Sequence, residues 1–205
     1  RKYKIKTVEN KHTHLVPEEL EQLERLSLTD KHMKLQKSLD AFLFCCYAGM
    51  RYSDFTNLSK KNIVDINQET WLIYKSVKTG TEVRLPLYLL FAGKGIVILN
   101  KYRNNLEDFF RLRDNSNINK DLIIIAKLAG LSKKISFHTA RHTNATLLIY
   151  NGVNITTVQK LLGHKSVKTT QVYTNIMDMT IVHDLEKIKQ AALGIKKKTD
   201  NSFNK

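Results

Sequence analysis

The stretch Ser136–Thr174, SFHTARHTNATLLIYNGVNITTVQKLLGHKSVKTTQVYT, constrains the fold most, because it holds two apolar helical segments, each stopped by a glycine, Gly152 and then Gly163. Ser136 stands where a cap would open the first segment. His138, Arg141 and His142 then read H-x-x-R-H in its first turns. Residues three and four apart share a helix face, so these side chains can point at one spot. A cation and two protonatable rings aimed at one place suit an anionic substrate. The second segment, Ile155 to Leu162, closes at Gly163, and His164 follows at once. Past a cap at Ser166 and the pair Thr169-Thr170 lies Tyr173. A phenol of pKa about 10 can act as a nucleophile only beside cations or a base. Both kinds of group lie upstream.

The rest of the chain reads as helices interrupted once by short strands. Pro17, followed by Glu18 and Glu19, opens a helix with Leu20, Leu23 and Leu26 inward. A second helix is predicted from His32 to Ala48, apolar at Leu35, Leu39, Phe42, Leu43 and Cys46, and ended by Gly49. Arg51 falls in the turn after it, with Ser53 or Asp54 as the cap of the next helix. Runs at 62–66, 70–76 and 82–87 are rich in β-branched and aromatic residues, which predicts a three-stranded antiparallel sheet with Lys78 in its last turn. Lys75 is a competing lysine within the strand. Helices are then expected over Tyr88–Arg103 and over Ser116–Ala129, the latter capped by Ser116 or Asn117 and apolar at Leu122, Ile125 and Leu128. The polar stretch between them, 104–115, reads as a loop. Asp178 starts a final helix through Leu193, apolar at Ile181, Val182, Leu185 and Ile188. The expected fold is mainly α with one small antiparallel sheet.

Charge narrows the partner. Lys and Arg number 34 against 19 Asp and Glu, a formal charge of +15, which favours a polyanion through phosphate contacts and counterion release. Cys45 and Cys46 are adjacent in an apolar run, so they form no disulfide framework and indicate a reducing compartment, cytoplasmic or nucleoid-associated. No stretch nears the roughly 20 apolar residues that span a bilayer. His138 and His142 have the spacing of a zinc pair, but Thr139 stands where the metalloprotease motif needs Glu, so no metal is expected.

Three groups of residues, G-M-R-Y-S-D from Gly49 to Asp54, H-x-x-R-H from His138 to His142, and L-L-G-H with T-x-x-Y ending at Tyr173, resemble the motif boxes of the tyrosine recombinase (phage-type integrase) family in order and spacing. The wording F-H-T-A-R-H-T and L-G-H-K-S-V-K-T-T-Q-V-Y is close to that of integrases of Bacteroides-type mobile elements. The resemblance runs from about Pro17 to about Leu193. It implies the catalytic-domain fold of that family over 15–195; by composition, residues 1–14, basic and without periodicity, read as a linker or arm, and the polar, basic 196–205 as a disordered tail. The resemblance also implies a catalytic domain separated from an N-terminal DNA-gripping domain.

The resemblance carries roles onto residues. Arg51 and Arg141 would hold the scissile phosphate and Tyr173 would attack it. Lys78 would protonate the leaving 5′ oxygen, His138 would serve as base or proton shuttle, and His164 would donate to a phosphate oxygen. Asp54 would orient a cation, and His142 would either support the site or only pack. Neither cofactor nor ATP is implied. The partners implied are double-stranded attachment-site DNA, a homotetramer assembled on it, with the C-terminal helix either exchanged between protomers or packed on its own domain, and accessory proteins. Two readings share these features: a type IB topoisomerase, which works as a monomer, and a non-catalytic DNA-binding relative.

Overall fold

A computed structural model describes residues 13–173. The predicted final helix from Asp178 and the basic tail lie outside these residues. Two helices form the centre: α2 (Gln36–Ala48), buried at every position from Ser38 to Ala48, and α7 (Phe137–Tyr150), buried throughout 139–149. Side chains buried all round a helix require neighbours on every face, and the polar ones that α7 and α2 bury require hydrogen-bond partners as well. Around this pair lie α1 (Pro17–Glu24), α4 (Lys94–Lys101), α6 (Asn115–Leu128) and α8 (Ile155–Leu162). An aromatic cluster fills the floor, with Phe55 meeting Phe44, Phe109, Phe110 and Phe137 at centroid distances of 5.3–6.1 Å. Truncating a ring buried this fully costs about 3–5 kcal/mol.

The sheet has the order β1-β2-β3 and is antiparallel, with β1 at Ile63–Ile66, β2 at Glu69–Lys75 and β3 at Glu82–Pro86. The register pairs Leu72 with Leu85 and Tyr74 with Val83, and these four side chains make its buried face. Asn67 and Gln68 both take positive φ, 53° and 67°, as a two-residue hairpin turn between β1 and β2 requires.

Several boundaries differ from those expected. A 3₁₀ turn over Asp30–Leu35 precedes α2 where one helix was predicted from His32. The helix expected over Tyr88–Arg103 is a 3₁₀ segment, Leu90–Gly93, followed by α4. Left-handed φ values at Phe91, Ala92 and Gly93 separate the two. The predicted loop at 104–115 contains α5 (Leu106–Phe110), capped by the Asn105 carboxamide and holding Phe109 and Phe110 in the aromatic floor. Asp114, two or three residues before the predicted caps, is the N-cap of α6. Leu128 faces outward at 41% exposure, whereas Ile118 joins Leu122 and Ile125 inside.

Candidate active site

The site forms where the ends of α2, α7 and α8 meet the β2–β3 turn. Gly49, at φ +67°, ends α2, and Arg51 is the N-cap of the short α3 (Tyr52–Phe55), the place given by prediction to Ser53 or Asp54. Asp54 does not cap because its carboxylate faces the sheet. It accepts from the Val77 amide at 2.8 Å and from the Ser76 hydroxyl at 3.3 Å, and lies 3.6 Å from the Arg51 guanidinium. Arg51 also donates to Ser76 Oγ at 3.3 Å. One buried carboxylate thus ties the arginine to the turn that carries Lys78. Ser76, the bridge between them, had no motif signal.

Arg141 is 1% exposed and donates to the carbonyls of Gly49 at 2.7 Å and Leu162 at 2.6 Å. These are the C-terminal ends of α2 and α8, where unpaired carbonyls and the helix dipoles favour a cation. Burial and the nearby Arg51 push the Arg141 pKa down to about 10, so the guanidinium stays charged at neutral pH. Asn144 reinforces the joint by donating to the Cys46 and Tyr47 carbonyls, at 2.9 and 3.0 Å.

Gly163 ends α8 in the left-handed region at φ +62°, which a Cβ would make both strained and crowded, since it would lie 2.6 Å from Val83 Cγ2. The close approach lets Thr79, one residue past Lys78, donate to the Gly163 carbonyl at 3.1 Å. His164, 7% exposed, follows, its Nδ1 2.9 Å from Thr170 Oγ1. Burial pushes the His164 pKa down to about 3, with Arg141, Arg51, His138 and Lys78 adding to the effect in that order. Four predicted residues thus lie close enough to act on one imidazole.

His164 is therefore neutral in the fold, whereas an unfolded chain protonates it near pH 6.5. Between those values the unfolded state binds the extra proton, so stability rises with pH and is lost on acidification. Melting midpoints should fall from pH 7 to pH 5 and a His164→Asn variant should show a shallower fall. The difference is bounded by about 1.4 kcal/mol per pH unit for one proton.

Tyr173 follows α9 (Lys168–Gln171) and is 3% exposed. Its Oη lies 3.1 Å from Nδ1 of His142, with ring centroids 5.5 Å apart. Burial raises the phenol pKa, and Arg141 and Arg51 pull it back. His138 is exposed and packs edge-on against His142, at 4.4 Å between centroids. The ring seated on the phenol is thus that of His142, where prediction gave the proton shuttle to His138; one turn of α7 separates them. Lys78 is exposed at the rim. Among the described residues no three His, Cys, Asp or Glu side chains gather as a metal site, and no helix is long and apolar enough to cross a membrane.

Two arginines and a buried phenol thus come together on a mainly helical scaffold that carries one three-stranded sheet. This chain belongs to the phage integrase family, whose sequence model matches residues 14–179. It is 30% identical over 181 residues to a tyrosine recombinase of Pseudothermotoga lettingae, covering 86% of this chain and 60% of the relative. It is 30% identical over 159 residues to the tyrosine recombinase XerC of Rickettsia prowazekii, covering 73% of this chain and 49% of the relative. The chain thus spans about half the length of the curated relatives it matches. Among solved structures, XerA recombinase superposes with a TM-score of 0.67 at 27% identity, over 86% of this chain and 65% of that one. A lambda integrase tetramer bound to a Holliday junction shares the fold, with a TM-score of 0.62 at 20% identity over 78% of this chain and 47% of that one.

Proposed function

We propose that the chain is the strand-cleaving and strand-joining domain of a site-specific DNA recombinase, an integrase of a mobile element. Arg51 and Arg141 hold the scissile phosphate, offering planar, permanently charged forks to its non-bridging oxygens. Tyr173 Oη attacks phosphorus and the bond to the 5′ oxygen breaks, leaving a 3′-phosphotyrosine and a 5′-hydroxyl. Lys78 supplies the proton to the departing oxygen. His164 is neutral; with Nδ1 accepting from Thr170, its Nε2–H donates to a phosphate oxygen. Asp54 keeps Arg51 and the Lys78 turn in register. The phosphotyrosine preserves the phosphate bond energy, so a second 5′-hydroxyl reverses the step onto a new strand without ATP.

The observation that carries this reading is Tyr173, buried and under the influence of both arginines, at the end of the turn that His164 opens. A protein that only bound DNA would have no use for a phenol poised there. The reading extends to a nucleoid location, to tetrameric assembly on two duplexes and to accessory proteins. The test is a recombination assay on two labelled duplexes bearing the attachment site of the protein's own element, with a chelator present. Recombinant-length products are expected. Relaxation of supercoiled plasmid without that site, and no recombinants, would point to a topoisomerase and overturn the proposal.

Lys78 makes a separable prediction. Lys78→Ala should slow cleavage by on the order of 10²-fold on ordinary DNA, as loss of a general acid does. On a strand whose bridging 5′ oxygen is replaced by sulfur the variant should approach the wild-type rate, because a thiolate leaves without a proton. An equal defect on both substrates would remove Lys78 from that role.

A further inference from the structure

A buried phenol at neutral pH does not ionise unaided, and proton transfer requires an acceptor within hydrogen-bond reach. Burial raises the Tyr173 pKa; Arg141 and Arg51 offset part of that rise and would favour the phenolate once formed, but neither can take the proton. An imidazole nitrogen already sits at that distance, 3.1 Å from Oη, on a ring that is itself 7% exposed. From the geometry we propose that His142 is the catalytic base for Tyr173. The proposal rests on the recombinase reading above and adds to it the identity of the group that takes the proton.

The step balances without a further reagent. The phenol O–H breaks as N–H forms at His142 Nδ1, the phenolate oxygen bonds to phosphorus, and the 5′ oxygen leaves with a proton from Lys78. In the joining step the incoming 5′-hydroxyl returns a proton to Lys78, and Tyr173 leaves as a phenol by taking its proton back from His142. The arrangement is set by one helix. Arg141 and His142 are neighbours on α7, so the cation that would hold the phosphate and the base that would free the nucleophile are fixed relative to each other. His138, one turn earlier and exposed, packs edge-on against His142.

Single-turnover cleavage of nicked attachment-site DNA by the whole protein tests this. His142→Ala should lose on the order of 10²-fold in rate. His142→Asn, which puts an amide oxygen near the place of Nδ1 but cannot be protonated there, should lose as much, with DNA binding unchanged in both. Replacing Tyr173 with 2,3,5-trifluorotyrosine, a phenol that ionises near neutral pH, should restore roughly tenfold or more to His142→Ala, since a weaker base then suffices. A variant that was merely misfolded would gain nothing. Wild-type speed in His142→Asn would reduce His142 to a hydrogen-bond acceptor and overturn the proposal. So would a fluorination rescue seen for His138→Ala and absent for His142→Ala. Cleavage by the wild-type protein is the control for the recombinase reading itself; its absence would overturn both.

Discussion

Arg141→Lys is expected to reduce strand cleavage by on the order of 10³-fold while leaving DNA binding at low salt nearly intact. Arginine here does two things with one fork. It closes the ends of α2 and α8 through the Gly49 and Leu162 carbonyls, and it charges the pocket in which Tyr173 lies. A lysine has one compact ammonium and cannot span both carbonyls while also facing a phosphate. Loss of one preorganised donor at a developing negative charge costs about 3–4 kcal/mol of barrier, in line with that factor. Removing the charge altogether should do more damage. Arg141→Ala leaves two buried carbonyls unpaired and is expected to lower stability by about 3 kcal/mol in urea unfolding, besides abolishing cleavage. Measuring both variants separates the chemical role of the guanidinium from its structural one. Cleavage near the wild-type rate in Arg141→Lys would show that charge alone suffices.

Gly49→Ala should be nearly as severe although it touches no reacting atom. Gly49 lies at φ +67°, and an added Cβ would approach Asn144 Oδ1 to 2.6 Å and Leu162 Cδ2 to 2.8 Å. The left-handed conformation costs a non-glycine residue roughly 1–2 kcal/mol. The overlap adds to that, because Asn144 is anchored to the Cys46 and Tyr47 carbonyls and cannot retreat. A loss of about 2–4 kcal/mol is expected from denaturant midpoints. Cleavage should fall further than stability does, since the displaced Gly49 carbonyl is an acceptor of Arg141. Stability and activity equal to wild type would mean that the joint between α2 and α7 is looser than it stands here.

Gly49 shows where sequence reading succeeded. Glycines at helix ends announce left-handed caps, and Gly49 and Gly163 both stop the helices that their patterns foretold. The sheet was equally legible because β-branched and aromatic runs separated by turn residues have few other uses. Reading failed where the signal was shorter than a helical turn or depended on a distant partner. The five residues of α5 sit in a polar stretch too short to show a period, and Phe109 and Phe110 belong inside only because Phe55 and Phe44 wait there. Asp54 had the right identity for a cap, and its carboxylate turned instead to the Val77 amide, a contact made only once the sheet folds back.

The histidines illustrate the same limit within the site. His138 and His142 lie i and i+4 on one helix face, so spacing alone makes them equivalent. Which ring meets Tyr173 depends on the path of the chain from Gly163 through α9, and on the Thr170 hydroxyl, 0% exposed, which meets His164 Nδ1 and thereby fixes that path. Motif spacing cannot choose between the two rings; the tertiary fold sets which of them lies 3.1 Å from the phenol.

The central claim, that Tyr173 forms the covalent link to DNA, is tested most directly by capturing the intermediate. The protein is incubated with attachment-site duplex carrying a nick near the cleavage point, so that the short released strand diffuses away and religation stops. The adduct is then digested and the DNA-bearing peptide sequenced by mass spectrometry. The account predicts a 3′-linked nucleotide on Tyr173, formed with a chelator present and absent from Tyr173→Phe. A nucleotide on any other residue, or cleavage that persists in Tyr173→Phe, would contradict it.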